Sequence, residues 1–294
     1  MDINWYPGHM AKALRLMQES LRAVDFVIEV ADARIPRSSR NPDFDSLFRT
    51  KARVIVLNKA DLADPMRTRQ WLEWYNKSGN AAPAAAVEFV ATQRRGREEL
   101  LERMREAARE KVERMAARGA KKTVRALVAG IPNTGKSALI NALSGAAPAR
   151  TGDKPGVTRG RQLIRITPWM ELIDTPGVLW PKLDDPKGAL NLAFTGAIKE
   201  ETMQPYALAL ELIKTLDVLY PDAMRTRYKL DGPKDSPAET LLEICRKRGC
   251  LRGGGEPDEE RAARLVLDEM KAGKLGRLTL EEPGEREDRE PFEL

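Results

Sequence analysis

Short apolar runs alternate along the chain with longer stretches whose apolar residues recur at helical spacing. Six runs are rich in Val, Ile, Leu and Phe: 24–31 (VDFVIEVA), 53–58, 87–91, 124–129, 161–167 and 171–174. Such near-continuous runs are expected of strands covered on both faces, as in a parallel sheet. Between them, Met10–Ala23 carries a helical pattern. The charged segment Arg97–Arg118 predicts a long helix that returns the chain to the fourth strand. Strands alternating with helices predict a doubly wound, mostly parallel, six-stranded α/β sheet.

From about Lys182 the pattern turns helical throughout. Pro205–Tyr220 is one predicted helix. SPAE at 236–239 reads as a capping box with Pro at the first helical position, ahead of Leu241, Leu242 and Cys245. Glu256–Ala272 places Ala263, Val266, Leu267 and Met270 on one stripe, with Gly273 after its end. These faces predict packed core. The expected organisation is an α/β domain at 1–180, a small all-helical domain at 181–275, and an acidic, disordered tail at 276–294.

The chemistry is concentrated at turns that follow strands. GIPNTGKS, Gly130–Ser137, fits G-x-x-x-x-G-K-[ST] between a strand and an apolar helix, the context that marks a P-loop. Gly130 and Gly135 let the backbone curl so that N–H groups face phosphate oxygens. Lys136 brings charge to the β- and γ-phosphates, and the Ser137 hydroxyl is a Mg²⁺ ligand. Asn133, Thr134, Gly135, Lys136, Ser137 and Ala138 are therefore candidate nucleotide contacts.

NKAD, Asn58–Asp61, names the base. A carboxylate at Asp61 can accept from both N1–H and N2–H₂ of guanine, a donor pair that adenine lacks; this argues against an ATPase or a P-loop kinase. The Lys59 stem can cover the base, and Asn58 can tie this loop to the P-loop. In ELIDTPG, Asp174 is placed to hold a Mg²⁺-bound water, and the Gly177 N–H to meet the γ-phosphate. Thr158, in KPGVTRG, is a Mg²⁺ ligand when that phosphate is present, so the two loops read as switches.

The order of these motifs is unusual. Ras-type GTPases place the P-loop first and the guanine motif later, whereas here NKAD precedes GIPNTGKS, PGVT and DTPG. Joining the usual termini and reopening the chain elsewhere preserves the same sheet. With PGHM near the start and DARIP at 32–36, the chain resembles the circularly permuted GTPases of ribosome assembly over about residues 1–275, and within them the ribosome biogenesis GTPase A type. The resemblance implies a GTP-hydrolysing factor that acts late in maturation of the large ribosomal subunit. It also implies a helical domain that contacts rRNA. Where the family has Ser-Ala near guanine O6, this chain has Ala91-Thr92. A second reading stays open, a GTP-dependent RNA-binding checkpoint in which hydrolysis is incidental.

Charge and the rarer residues adjust this picture. Of 294 residues, 42% are apolar and 32% charged, with a net charge of +6. Glu281–Leu294 carries −5 of that balance, leaving +11 on the body, which suits a polyanionic partner such as rRNA in a particle that also holds ribosomal proteins. Arg114–Arg125 and RKRG at 246–249 are the basic clusters; phosphate contact and a solvated face are both open readings. Cys245 and Cys250 lack the ligand set of a metal site. No membrane span or signal peptide is legible, so a cytoplasmic protein, monomeric when free, is expected.

Two residues carry finer expectations. Asn133 matches P-loops of related GTPases that use K⁺ near the phosphates, with a loop-capping Asn as the alternative. His9 is the sole histidine. Val178 stands where Ras-type enzymes place a water-orienting Gln, and neither Leu179 nor Trp180 can hold a water. Pro7–Gly8 reads as a turn that puts His9 at a helix start, where the imidazole is kept neutral. The alternative is a surface accident. In the resembling family the matching histidine is proposed for catalysis. His9, Lys136 and Thr158 are thus the candidate catalytic residues.

Overall fold

The computed structural model describes residues 7–77, 84–117, 123–144, 162–179, 185–198 and 204–284. Six strands form one sheet: β1 (Phe26–Asp32), β2 (Ala52–Asn58), β3 (Ala84–Glu88), β4 (Val124–Ala129), β5 (Gln162–Thr167) and β6 (Met170–Asp174). Their order is β3-β2-β1-β4-β6-β5. All neighbours are parallel except the terminal β5–β6 hairpin. The sheet is the mostly parallel α/β architecture that the apolar runs predict. Strand β4, late in sequence, lies at its centre between β1 and β6, as permutation requires.

Both faces of the sheet are covered, which is why the strands are apolar without alternation. On one face Phe26, Ile28, Val30, Val54 and Val56 pack with Leu100 and Met104 of α4 (Arg97–Ala116) and with Leu139 and Ile140 of α5 (Lys136–Ser144). On the other face, Val27, Leu127 and Ala129 meet Met17 of α1 (Pro7–Leu21), while Phe44 and Phe48 close the same cluster around α2 (Asp43–Leu47). Ile55 and Leu57 pack on Trp71 and Tyr75 of α3 (Pro65–Asn76).

Several boundaries differ from expectation, each for a local reason. Strand β3 occupies 84–88 rather than 87–91. Phe89 N–H still donates to the Leu57 carbonyl (2.9 Å), but the chain then turns, bridging Val90 and Arg95. Buried Phe89 and Val90 mimic strand continuation. Helix α1 begins at Pro7, so Pro7 and Gly8 are its first residues and not a preceding turn; proline's fixed φ suits that position.

The described chain falls into two compact units, residues up to 183 together with 281–284, and residues 184–280. The second is helical: α6 (Pro186–Phe194), α7 (Pro205–Leu219), α8 (Ala223–Tyr228), α9 (Pro237–Lys247) and α10 (Glu259–Lys271). Leu208, Leu212 and Leu216 of α7 are buried, as are Leu241 and Ile244 of α9 and Val266 and Leu267 of α10. The Ser236 hydroxyl caps α9 by accepting from Glu239 N–H at 3.2 Å. Helix α10 starts at Glu259, three residues later than the pattern suggests, because Asp258 caps it by accepting from Arg261 N–H.

The disordered tail expected from residue 276 is corrected over its first part. Residues 276–284 are described, Leu278 and Leu280 are buried, and Glu281 is 2% exposed. A net-charge argument averages over the acidic run and misses one carboxylate that has backbone partners. The rest of the tail lies outside the described residues.

Candidate nucleotide site

The carboxyl ends of four parallel strands deliver the candidate residues: Asp32 from β1, Asn58 from β2, Gly130 from β4 and Asp174 from β6. Ligands bind at this edge in open α/β sheets. The loop after β4 has the curl that its sequence implies, with φ of +151° at Gly130, +61° at Asn133 and +90° at Gly135. A Cβ at Gly130 would lie 2.5 Å from the Val30 carbonyl oxygen, so only glycine passes there.

NKAD and the P-loop are held together directly. Asn58 Nδ2 donates to the Thr134 carbonyl (2.8 Å), and Lys59 Nζ donates to the Asn133 carbonyl (2.6 Å). The Asn58 Oδ1 accepts from Ala91 N–H at 3.2 Å, drawing in the loop after β3. One buried Asn thus joins three loops. Thr92 follows in an exposed turn, and Asp61 is half-buried in the turn after Lys59.

Lys136 is 8% exposed, and its Nζ donates to the Ile131 carbonyl at 2.7 Å. Burial pushes its pKa down to about 8; the Asp174 carboxylate opposes that shift and Lys59 adds to it. A buried ammonium with so little negative charge around it favours a polyanion. The loop after β6 lies against it. A Cβ at Gly177 would sit 2.9 Å from Lys136 Nζ and 2.8 Å from Pro132 N. Val178 N–H donates to the Gly130 carbonyl (3.3 Å), and the Thr175 hydroxyl to that of Val128 (2.6 Å).

Ser137 is the second residue of α5, and Asp174 ends β6 at this same edge. A hydroxyl and a carboxylate at the edge that also holds the buried Lys136 are hard oxygen donors of the kind Mg²⁺ takes. Ala138 is half-buried in the first turn of α5. Thr158 lies outside the described residues. His9 is described only as the third residue of α1, in its first turn.

Asp32 and Arg34 belong to this cluster although the motif pattern assigns them no role there. Arg34 clasps the carboxylate through Nε (3.0 Å) and a terminal nitrogen (2.8 Å), and Lys59 Nζ pairs with it at 2.9 Å. Burial alone would raise the Asp32 carboxyl, but Arg34 and Lys59 hold it well below the usual carboxylate range. The signal was available, since DARIP ends the strand that pairs with the NKAD strand, and Asp32 is the register partner of Asn58.

The basic clusters are less open than they read. Lys247 pairs with Asp231 (3.1 Å) and Arg248 with Glu269 (2.9 Å), so RKRG is partly spent on its own unit. Arg125 pairs with Glu171 at 3.1 Å. Arg118, Lys121 and Lys122 lie outside the described residues. Among the described residues no helix is long and apolar enough to cross a membrane.

The comparisons agree with this geometry. The 50S ribosome-binding GTPase family matches residues 125–220. Ribosome biogenesis GTPase A of Priestia megaterium is 43% identical over 98% of this chain and 99% of its own length. The Thermotoga maritima protein of the same name is 33% identical over 96% and 95%. Mouse mitochondrial ribosome-associated GTPase 1 is 34% identical over 94% and 89%. The crystal structure of GNP-bound YlqF from T. maritima superposes with a TM-score of 0.69 at 28% identity, over 93% of this chain and 99% of that one. With relatives this similar along nearly its whole length, and with the guanine motif bonded to the P-loop, the chain is a GTPase and belongs to the ribosome biogenesis GTPase A family.

Proposed function

We propose that this protein is a GTP-hydrolysing assembly factor that binds immature large ribosomal subunits, promotes a late maturation step and leaves on hydrolysis. The observation that supports this best is the pair of bonds from Asn58 and Lys59 to the P-loop, which tie the NKAD loop to the Asn133 and Thr134 carbonyls. In this reading the Asp61 carboxylate accepts from guanine N1–H and N2–H₂. The Ala91 N–H is engaged by Asn58, so the Thr92 N–H is the next amide for O6.

At the phosphate end, backbone N–H groups of Asn133 to Ala138 line the triphosphate, and Lys136 exchanges the Ile131 carbonyl for β- and γ-oxygens. Ser137, Asp174 and Thr158 would hold Mg²⁺, which offsets the phosphate charge when bound. The Gly177 N–H meets the γ-phosphate, so its loss alters the loop that precedes the helical unit. His9 orients the attacking water, and Asn133 supplies a K⁺ ligand. The +11 body and the helical domain at 181–275 meet rRNA and neighbouring ribosomal proteins in the cytoplasm.

Sedimentation with ribosomal particles tests the reading. A non-hydrolysable GTP analogue should retain the protein on immature large subunits, while GTP should release it. Equal association in both states would overturn the release step. A variant that binds GTP without hydrolysing it, yet completes assembly, would favour the checkpoint reading.

A further inference from the structure

The clasp at the end of β1 holds more charge than a structural ion pair needs. Arg34 satisfies both oxygens of Asp32 through its fork, and its backbone N–H adds a third bond to Oδ1 at 3.1 Å. Both residues are 2% exposed or less. A bidentate pair of this kind is complete by itself. Lys59 nevertheless brings a second cation to the same carboxylate, and that ammonium also reaches the Asn133 carbonyl on the P-loop. The Lys59 backbone is left-handed, with φ of +59°, a conformation costly for a residue with a Cβ and held only by its surroundings.

Arg34 and Lys59 repel one another in a buried place. Burial, with Arg34, pushes the Lys59 ammonium below its ordinary pKa, and Asp32 is the main group opposing that. Without the carboxylate, Lys59 would face Arg34 with the neutral Asn133 carbonyl and the weaker pull of Asp61 as its remaining support. The Asp32 N–H is in turn fixed by the Ser39 hydroxyl at 2.9 Å. The clasp is therefore a rigid mount that ends on a group the nucleotide uses.

We propose that Asp32 is a positioning residue for nucleotide binding: by holding the Lys59 ammonium on the Asn133 carbonyl, it sets the guanine loop against the P-loop and so tightens the grip on GTP. Arg34 orients the carboxylate for that task. The inference rests on NKAD being the guanine subsite.

The test is a double-mutant cycle on GTP affinity with the full chain, using Asp32→Asn, Lys59→Met and both together. Asp32→Asn should weaken GTP binding roughly tenfold or more, the scale of one charge-assisted hydrogen bond, and raise KM more than it lowers kcat. The double variant should bind about as weakly as Lys59→Met alone, because Asp32 acts through Lys59. Independent, multiplying losses would overturn the proposal, as would undiminished affinity in Asp32→Asn. If Asp32→Asn does not fold, Asp32→Asn/Arg34→Gln removes the stranded guanidinium and its repulsion of Lys59, and carries the same measurement. Asp61→Asn in the same assay separates the two levels. Loss of preference for GTP over ATP there upholds the subsite, whatever the cycle shows. Full preference removes NKAD from the site.

Discussion

The Glu281 carboxylate accepts the backbone N–H groups of Arg37, at 2.7 Å, and of Ser38, at 3.1 Å, and also the Ser38 hydroxyl. The Glu281 carbonyl accepts from the Trp71 indole N–H (3.2 Å), and Arg67 pairs with Glu282 at 2.9 Å. This segment straps the loop after β1, the loop that supplies Ser39 to Asp32 and whose Asn41 donates to the Val178 carbonyl (3.3 Å).

Removing the strap's carboxylate leaves two amides without it. Glu281→Ala should lower the unfolding free energy by about 1–3 kcal/mol, the cost of stranding buried donors. Denaturant unfolding measures this directly. An unchanged midpoint and slope would show that water replaces the carboxylate without loss.

Lys136 makes GTP binding pH-dependent. Its amine sits at about 8 in the nucleotide-free protein because of burial, and phosphate oxygens raise it. The bound form therefore holds a proton that the free form sheds above pH 8, and affinity should fall there by up to about tenfold per unit. Calorimetry at pH 8.5 in buffers of different ionisation enthalpy should report proton uptake on binding. Lys136→Ala should abolish turnover and remove that uptake.

The left-handed turn at Asn133 presents the residue proposed for K⁺. Replacing K⁺ with Na⁺ at constant ionic strength should slow hydrolysis while leaving GTP affinity nearly unchanged, since a cation at the phosphates acts mainly on developing charge. Equal rates in the two salts would dismiss the ion.

His9 lies in the first turn of α1 and is the residue proposed to orient the attacking water. His9→Ala should keep its affinity for GTP and lose most of the hydrolysis stimulated by ribosomal particles. Full stimulated turnover would return His9 to the role of an ordinary surface residue.

The sheet was legible because strands covered on both sides must be apolar, and the P-loop and NKAD because phosphate and guanine recognition fix residue types at fixed spacing. Asn58 was expected to bridge the loops, and it bonds to Thr134. Asp32 is not legible as a site residue because an Asp two residues before an Arg reads as a solvated turn; only β1 pairing with β2 brings Lys59 to it. Phe89 and Val90 read as part of β3 because burial in a turn leaves the same trace as burial in a strand. Glu281 was masked by six other acids in its run.

The partners in the strap, Arg37 and Glu281, are 244 positions apart. At about 5–20 residues per second of synthesis, the loop after β1 emerges roughly 10–50 seconds before the carboxylate that clasps it. The other five strands and the helical unit are made in that interval. This fastening of the nucleotide-binding unit thus waits for translation to pass residue 281, long after the loop it clasps has been made.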